Sequence, residues 1–226
     1  MKIDFPSFSK RYEKPAPGQF PVGTRVYTGH QGCGKTLSCV KYIFDLKKSF
    51  PKAKIFSNVK LFGLKYYHIT DVSDLKSAIS FQNGSNGVLI LVDEAHLYFG
   101  RKDGIPLEVL TCISQQRKDR RRLVFTSQIW EELDISLRKQ VKEIVHCKCF
   151  FGKIQFNNVM DGETLHYDKL AGEFVADHKY YEVFKHNKEY YSRYDTFQKI
   201  ITNNEMIALP TLNETFNKII VETKSK

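Results

Sequence analysis

The sequence lacks an apolar run long enough to cross a bilayer, and its N-terminus has no apolar core of the kind that signal peptides carry. Its five cysteines show no framework spacing, which argues for a reducing compartment. No internal repeat or low-complexity segment is present. We therefore expect a soluble intracellular protein, and 226 residues suit one α/β domain with additions and a sizeable core.

One spacing suggests a metal, namely His146-Cys147-Lys148-Cys149. Alternate residues of a strand share a face, so Cys147 and Cys149 suit two packed side chains as well as two ligands. Because no partner cluster supplies further ligands, the pattern favours packing over a zinc site.

Acidic residues are in the minority: 25 Asp and Glu against 35 Lys and Arg give a formal net charge of +10. This surplus favours a polyanionic partner, above all nucleic acid, although Lys and Arg also serve solubility. Later, Lys and Tyr interleave between residues 179 and 194, which suits strands of DNA or RNA and equally suits tyrosines packed on the core. The densest basic cluster directly precedes an apolar strand, which predicts a position at a sheet edge, and comprises Arg117, Lys118, Arg120, Arg121 and Arg122.

Residues 29–36, GHQGCGKT, match the phosphate-binding pattern G-x-x-x-x-G-K-[ST] at every fixed position. A β-prone run, 25–28, precedes them, and apolar residues near helical spacing follow over 37–47. We predict that the loop's N–H groups hold phosphates, that Lys35 reaches the β- and γ-phosphates, and that Thr36 ligates Mg²⁺. A glycine-rich surface loop with an incidental lysine is the alternative, which this context disfavours. The predicted ATP-binding residues are Gly29, His30, Gln31, Gly32, Cys33, Gly34, Lys35 and Thr36.

A second motif is the apolar run over 87–92 that ends in Asp93 and Glu94. A run apolar on both faces is typical of a central parallel strand, whose carboxyl end opens on the ligand crevice. We predict that Asp93 anchors Mg²⁺ through water and that Glu94 is the base that polarises the attacking water. An ordinary strand capped by a solvated acidic pair is the alternative. The letters DEAH also match a helicase signature, but the arginine-rich motif at 116–121 follows too closely and the chain is too short for a second core domain.

Three further residues complete the predicted site. Gln128 follows the strand over 122–127, at the carboxyl edge where Lys35 and Glu94 are expected, and is predicted to sense the γ-phosphate. A strand-end turn is the alternative there. Arg117 and Arg138 are the two candidates for an arginine that a neighbouring subunit inserts, although either also suits a solvated surface position.

The chain is predicted to divide into an extended, proline-rich arm (1–22), a phosphate-loop ATPase domain (23–198) and a tail (199–226). Strands are expected over 53–58, 66–69 and 122–127, and helices over 73–80, with Ser73 as N-cap, and 106–116. From about residue 143 two strands, 144–151 and 153–158, begin a small β-rich addition. The predicted fold class is α/β with a central, mostly parallel sheet.

The phosphate loop and the acidic pair combine with 116–118, 125–128, 133–135 and Arg138 into a pattern that resembles the zonula occludens toxin-like ATPases. Asn58 and residues 194–196 also look like positions of this family, which lies within the HerA–FtsK-like DNA pumps and includes filamentous-phage assembly ATPases. The similarity covers about 23–198. It implies a RecA-like phosphate-loop NTPase fold, ATP and Mg²⁺ at subunit boundaries, a hexameric or similar ring, and DNA in a basic central channel.

One departure changes the expected role. Filamentous-phage members continue into a membrane-spanning segment, which this sequence lacks, so it fits better with genome-packaging ATPases of tailless, membrane-containing viruses. The first hypothesis is a motor that moves viral or mobile-element DNA into a capsid, in the host cytoplasm or associated with the virion. The alternatives are a virion-assembly ATPase that acts on coat protein with a membrane partner, and a nucleotide-dependent adaptor that barely hydrolyses ATP.

Overall fold

The computed structural model describes residues 18–99, 104–169 and 173–195. The predicted arm lies outside this part of the chain up to residue 17, and the predicted tail lies outside it entirely. The helices of the described residues are α1 Lys35–Ser49, α2 Val72–Ser80, α3 Leu107–Ser114, α4 Ile135–Arg138 and α5 Lys188–Tyr191. The strands are β1 Gly23–Thr28, β2 Lys54–Ser57, β3 Tyr67–His68, β4 Val88–Val92, β5 Arg121–Thr126, β6 Val141–Phe150, β7 Ile154–Asp161, β8 His166–Asp168, β9 Glu173–Val175 and β10 His178–Lys185.

Eight of these strands form one sheet in the order β10-β7-β6-β1-β5-β4-β2-β3. The six from β3 to β6 run parallel, whereas β7 and β10 are added antiparallel at the β6 edge. β8 and β9 form a separate antiparallel hairpin. The predicted mostly parallel α/β architecture is therefore confirmed.

Strand β4 shows why its sequence is apolar throughout. Leu89 and Leu91 pack in the layer under α1, whereas Val88, Ile90 and Val92 pack in the layer under α2 and α3. All five side chains are fully buried, because helices cover both faces of the central strands.

The N-terminus of α2 differs from the prediction. Ser73 is not the N-cap; Asp71 is, and its carboxylate accepts a hydrogen bond of 2.8 Å from Asp74 N. Asp74 in turn accepts a 2.9 Å bond from the backbone N–H of Thr70. The two carboxylates therefore satisfy N–H groups on either side of the helix start, which begins the helix one residue earlier than predicted.

The β-rich segment extends the central sheet. β6 starts at Val141, three residues before the predicted start, and pairs in parallel with β1 through His146. β7 runs back along β6 as far as Asp161, three residues beyond the predicted end. The segment is thus continuous with the central sheet, which brings its hairpin beside the phosphate loop.

The basic cluster is only partly on the surface. Arg121 and Arg122 belong to β5 itself and are 0% and 2% exposed, whereas the predicted strand began at Arg122 and left Arg121 before it. Arg122 pairs with Glu143, which also lies 3.4 Å from Arg25. Glu182 accepts a 2.8 Å bond from the same Arg25. Arg25 and Arg122 therefore serve an internal ionic network, whereas the buried Arg121 pairs with Asp119 at 3.1 Å, so neither Arg121 nor Arg122 is available to an outside polyanion.

No helix in the described ranges is long and apolar enough to span a membrane. The same ranges contain no group of three or more His, Cys, Asp or Glu side chains arranged to hold a metal ion. Cys147 is buried among apolar side chains, in line with the packing interpretation of the His146–Cys149 segment.

Candidate functional site

The phosphate loop joins the end of β1 to the start of α1, as the sequence predicts. Two of its glycines are required by close approach as well as by positive φ. A side chain at Gly34, with φ of 86°, would overlap the Gln155 amide, and one at Gly29, with φ of 135°, would lie 2.8 Å from the Cys147 carbonyl oxygen. The hairpin β6–β7 therefore packs directly against the backbone of the loop.

Lys35 lies over its own loop. Its ammonium group donates to the carbonyl oxygens of Gly29 at 2.9 Å and His30 at 3.0 Å. The residue is only 7% exposed, so the ammonium is held in position before a ligand enters. A phosphate oxygen could replace either carbonyl as the acceptor. Its hydrogen bond with the ammonium would be stronger than that of a carbonyl, because the two groups carry opposite charges.

Thr36 and Asp93 meet at the base of the loop. The Thr36 hydroxyl donates to both carboxylate oxygens at 3.0 and 3.1 Å, and the Thr126 hydroxyl donates to Oδ1 at 2.6 Å. Burial raises the pKa of Asp93 above its ordinary value, and these hydrogen bonds oppose the rise. The hydroxyl and the carboxylate are the oxygen donors that Mg²⁺ prefers, so these residues fit the ion.

Asn58 fixes the backbone beneath the acidic pair. Its amide donates to the Asp93 carbonyl at 2.9 Å and accepts from the Asp93 N–H at 2.8 Å. This two-bond clamp ties the end of β2 to the end of β4, which supplies a physical role for a residue that the family resemblance singled out.

Glu94 has φ of 52°, a left-handed backbone that is uncommon for a residue other than glycine. Its N–H donates to the Thr126 hydroxyl at 2.8 Å, so Thr126 contacts both acidic residues. One carboxylate oxygen accepts from the Gln128 amide at 3.1 Å, and His96 Nδ1 lies 3.3 Å from the other. Unusual backbone conformations concentrate at functional sites, and this one turns Glu94 toward Gln128 across the sheet edge.

A cleft of about 550 Å³ unites these side chains. Lys35, Thr36, Asp93, Glu94 and Gln128 all line it, although they come from three separate stretches of the chain. The other residues in its wall are Gln31, Gly32, Gly34, Leu37, Leu97, His186, Tyr191 and Tyr194.

Arg117 and Arg138 do not line this cleft. Each precedes a strand of the parallel sheet, β5 and β6 respectively, and so lies near the amino edge, whereas the phosphate loop follows the carboxyl end of β1. A contact with nucleotide would therefore have to come from another copy of the chain. Their assignment as inserted arginines stays a prediction.

Sequence reasoning missed a chain of side chains that supports the loop from the β-rich addition. The Gln155 amide donates to the Cys33 carbonyl at 2.9 Å, and its oxygen lies 3.0 Å from His186 Nε2. Because the amide oxygen only accepts, Nε2 carries the proton, and Nδ1 accepts from the Tyr191 hydroxyl at 2.8 Å. The interleaved Lys and Tyr pattern was the one available signal, and it did not indicate which tyrosine reaches the cleft.

Cys33 has an altered acidity inside the loop. A hydrogen bond from the Cys147 thiol lowers the pKa of Cys33 to about 7, with a further contribution from the Lys35 ammonium, although partial burial opposes the change. A thiol in this state is partly ionised at neutral pH, which makes it more reactive than an ordinary cysteine.

Together the fold and the cleft define the class: an α/β protein with a phosphate-loop NTPase fold. No protein-family model matches the chain, and no curated protein sequence matches it significantly.

Among solved structures, the chain is similar to the N-terminal domain of zonular occludens toxin from Neisseria meningitidis, with a TM-score of 0.56 and 18% identity over 76% of this chain and 98% of that one. The genome packaging NTPase B204 from Sulfolobus turreted icosahedral virus 2, in complex with ATP-gammaS, has a TM-score of 0.47 and 18% identity over 59% of this chain and 77% of that one. The second score is too low to support an argument. The first establishes a shared fold, and so confirms at that level the resemblance found in the sequence.

Proposed function

We propose that this chain is an ATP-hydrolysing motor that moves viral or mobile-element DNA, as a genome-packaging ATPase that works as an oligomeric ring. The observation that supports the proposal is the single cleft lined by Lys35, Thr36, Asp93, Glu94 and Gln128. A purely structural role does not require an ammonium group, an acidic pair and an amide to face one space.

Each residue has a distinct task in this proposal. The loop's N–H groups and Lys35 bind the triphosphate, while Thr36 and Asp93 would hold Mg²⁺, which when bound offsets the phosphate charge. Glu94 accepts the proton of the attacking water, and Gln128, 3.1 Å from Glu94, orients that water and responds to loss of the γ-phosphate. Arg117 or Arg138 of a neighbouring copy completes the site.

DNA is the proposed substrate because of the net charge of +10 and the resemblance to DNA pumps. The ring is proposed because the cleft contains no arginine of its own among the described residues, whereas phosphoryl transfer of this type commonly uses one.

The test is the pair of variants Glu94→Gln and Glu108→Gln, assayed for ATP hydrolysis and for binding of a fluorescent ATP analogue. Glu108 is an exposed acid in the first turn of α3 and serves as a matched control. We expect Glu94→Gln to lower kcat by about 10²–10⁴-fold, the usual worth of a general base, with ATP binding retained. Unchanged turnover in Glu94→Gln would remove the residue from this role, and turnover that DNA fails to stimulate would favour the coat-protein alternative.

A further inference from the structure

One face of the three strands in the β-rich addition is left partly exposed by the described part of the chain. Directly opposed residues of β6, β7 and β10 share a face, which gives three rows on the side away from α1. We call these nine residues the open face: Phe150, Ile154 and Lys185; Lys148, Phe156 and Val183; His146, Asn158 and Tyr181. Four apolar or aromatic members, one or more in each row, are between 42% and 59% exposed.

Aromatic rings form a continuous array on this face. The rings of Phe150 and Phe156 lie 6.0 Å apart, those of Phe156 and Tyr181 4.8 Å, and that of His178 lies 4.1 Å from Tyr181. Because each ring packs against its neighbour, the array is held in place before a partner arrives, so binding requires little further ordering.

The tip of the β6–β7 hairpin presents a further ring. Three residues, 151–153, join the paired Phe150 and Ile154; Phe151 and Gly152 have φ of 53° and 63°, and Lys153 N donates to Phe150 O at 3.0 Å. A left-handed backbone favours Asn, Asp or Gly at the position of Phe151, since a bulky side chain is disfavoured there. The ring is also 92% exposed, so it contributes little to folding, and a role in binding explains its presence better.

Charge favours a polyanionic partner here. The open face carries Lys148 and Lys185 and no acidic residue, and Lys153 flanks the exposed ring of Phe151. Glu182 lies on the opposite face, where it pairs with Arg25. Basic side chains beside exposed aromatic rings are the combination that holds the backbone and bases of an unpaired strand.

The size of the face argues against a second copy as its occupant. Three rows on three strands cover roughly 200 Å² at ordinary strand and residue spacings. A stable protein interface needs about 800 Å² from each partner, whereas a few stacked nucleotides fit the smaller area.

We propose that the open face and Phe151 bind single-stranded nucleic acid, with bases stacked on the rings and phosphates held by Lys148, Lys153 and Lys185. The inference rests on the proposed function as a nucleic-acid motor and specifies its substrate as an unpaired strand. The opposite side of the same hairpin contacts the phosphate loop through Gln155, 2.9 Å from the Cys33 carbonyl. Strand binding and nucleotide binding thus meet on two faces of one hairpin.

The test variants are Phe151→Asn, Tyr181→Ser and the double variant that combines these two changes. The control is Tyr167→Ser, because Tyr167 is 53% exposed, as is Tyr181, but lies on β8 outside the open face. Asn suits the left-handed backbone at 151, so this variant retains the turn. Binding of a fluorescein-labelled 20-nucleotide oligodeoxythymidylate and of a 20-base-pair duplex is measured by anisotropy, with basal ATPase activity and solution mass recorded for each protein.

We expect each ring deletion to raise the Kd for the single strand at least about fivefold, the lower end of the loss for one base–aromatic stack. Tyr167→Ser should bind as the wild type does, and basal hydrolysis should not change. If the wild type binds the oligonucleotide and the double variant binds it equally, the inference is wrong and the motor proposal stands. Tighter binding of the duplex, or a change of solution mass in the double variant without loss of binding, also overturns the inference. A wild type that binds neither nucleic acid overturns the motor proposal itself.

Discussion

Glu143 provides the sharpest test of the internal ionic network. Its carboxylate is shared by Arg122 and Arg25, and all three side chains are almost completely buried. Replacement by Gln in Glu143→Gln preserves size and removes the charge, which leaves two buried guanidinium groups with less compensation. Breaking a buried pair by removal of one partner costs about 3–5 kcal/mol of the free energy of unfolding.

A second estimate comes from the acidity of the group. The two arginines, which outweigh the effect of burial, lower the pKa of Glu143 from 4.5 to about 2. A shift of this size corresponds to roughly 3 kcal/mol at neutral pH, which agrees with the lower end of the first estimate. In a domain of this length, the expected fall in Tm is about 6–12 °C.

The pH dependence distinguishes this account from a simple loss of packing. Because the folded pKa is depressed, the stabilisation is fully present above about pH 4.5 and is lost as the pH falls toward 2. Urea unfolding of wild type and Glu143→Gln at pH 7, 5, 4 and 3 should therefore show a difference that shrinks below pH 4.5.

Glu182→Gln is the matched control, since Glu182 contacts Arg25 at 2.8 Å but its side chain is 29% exposed. We expect that control to lose less stability, because solvent screens the exposed carboxylate. Breaking a buried pair should cost several kcal/mol, so a Glu143→Gln protein whose free energy of unfolding lies within about 1 kcal/mol of the wild-type value would refute the reasoning. So would a difference that persists undiminished to pH 3.

Two further predictions concern the phosphate loop. Gln155→Ala removes the hydrogen bond to the Cys33 carbonyl, so we expect the KM for ATP to rise about 5–10-fold with a smaller change in kcat. The control Gln115→Ala, at an exposed glutamine, should leave both constants unchanged, and an unaltered KM in Gln155→Ala would show that the loop is held without Gln155. The reaction of Cys33 with iodoacetamide should have its midpoint near pH 7, where the thiolate forms, instead of near the ordinary value of 9.0, and ATP should slow it. Mass spectrometry can follow the modification of each cysteine, with Cys112 for comparison. If Cys33 reacted with the same pH profile as Cys112, the role of the Cys147 hydrogen bond would be contradicted.

The local motifs were legible in the sequence because neighbours along the chain build them. The phosphate loop needs glycines, a lysine and a flanking strand and helix, all within residues 23–49. The acidic pair follows a strand whose unbroken apolar pattern already requires cover on both faces. Asn58 could be singled out only through the family resemblance, since nothing local indicates that its amide clamps the backbone of Asp93.

Only the tertiary structure decided which distant residues meet. Gln155 contacts Cys33 across 122 residues, and Arg25 contacts Glu143 across 118, so no periodicity or spacing could relate them. The sequence shows that Arg122 is charged, but its burial depends on the acid that β6 brings alongside β5 and β1. The pattern of residue types along the chain determines local conformation. The order of strands in the sheet determines which distant side chains meet, and those partners compensate a buried charge and hold a loop in place.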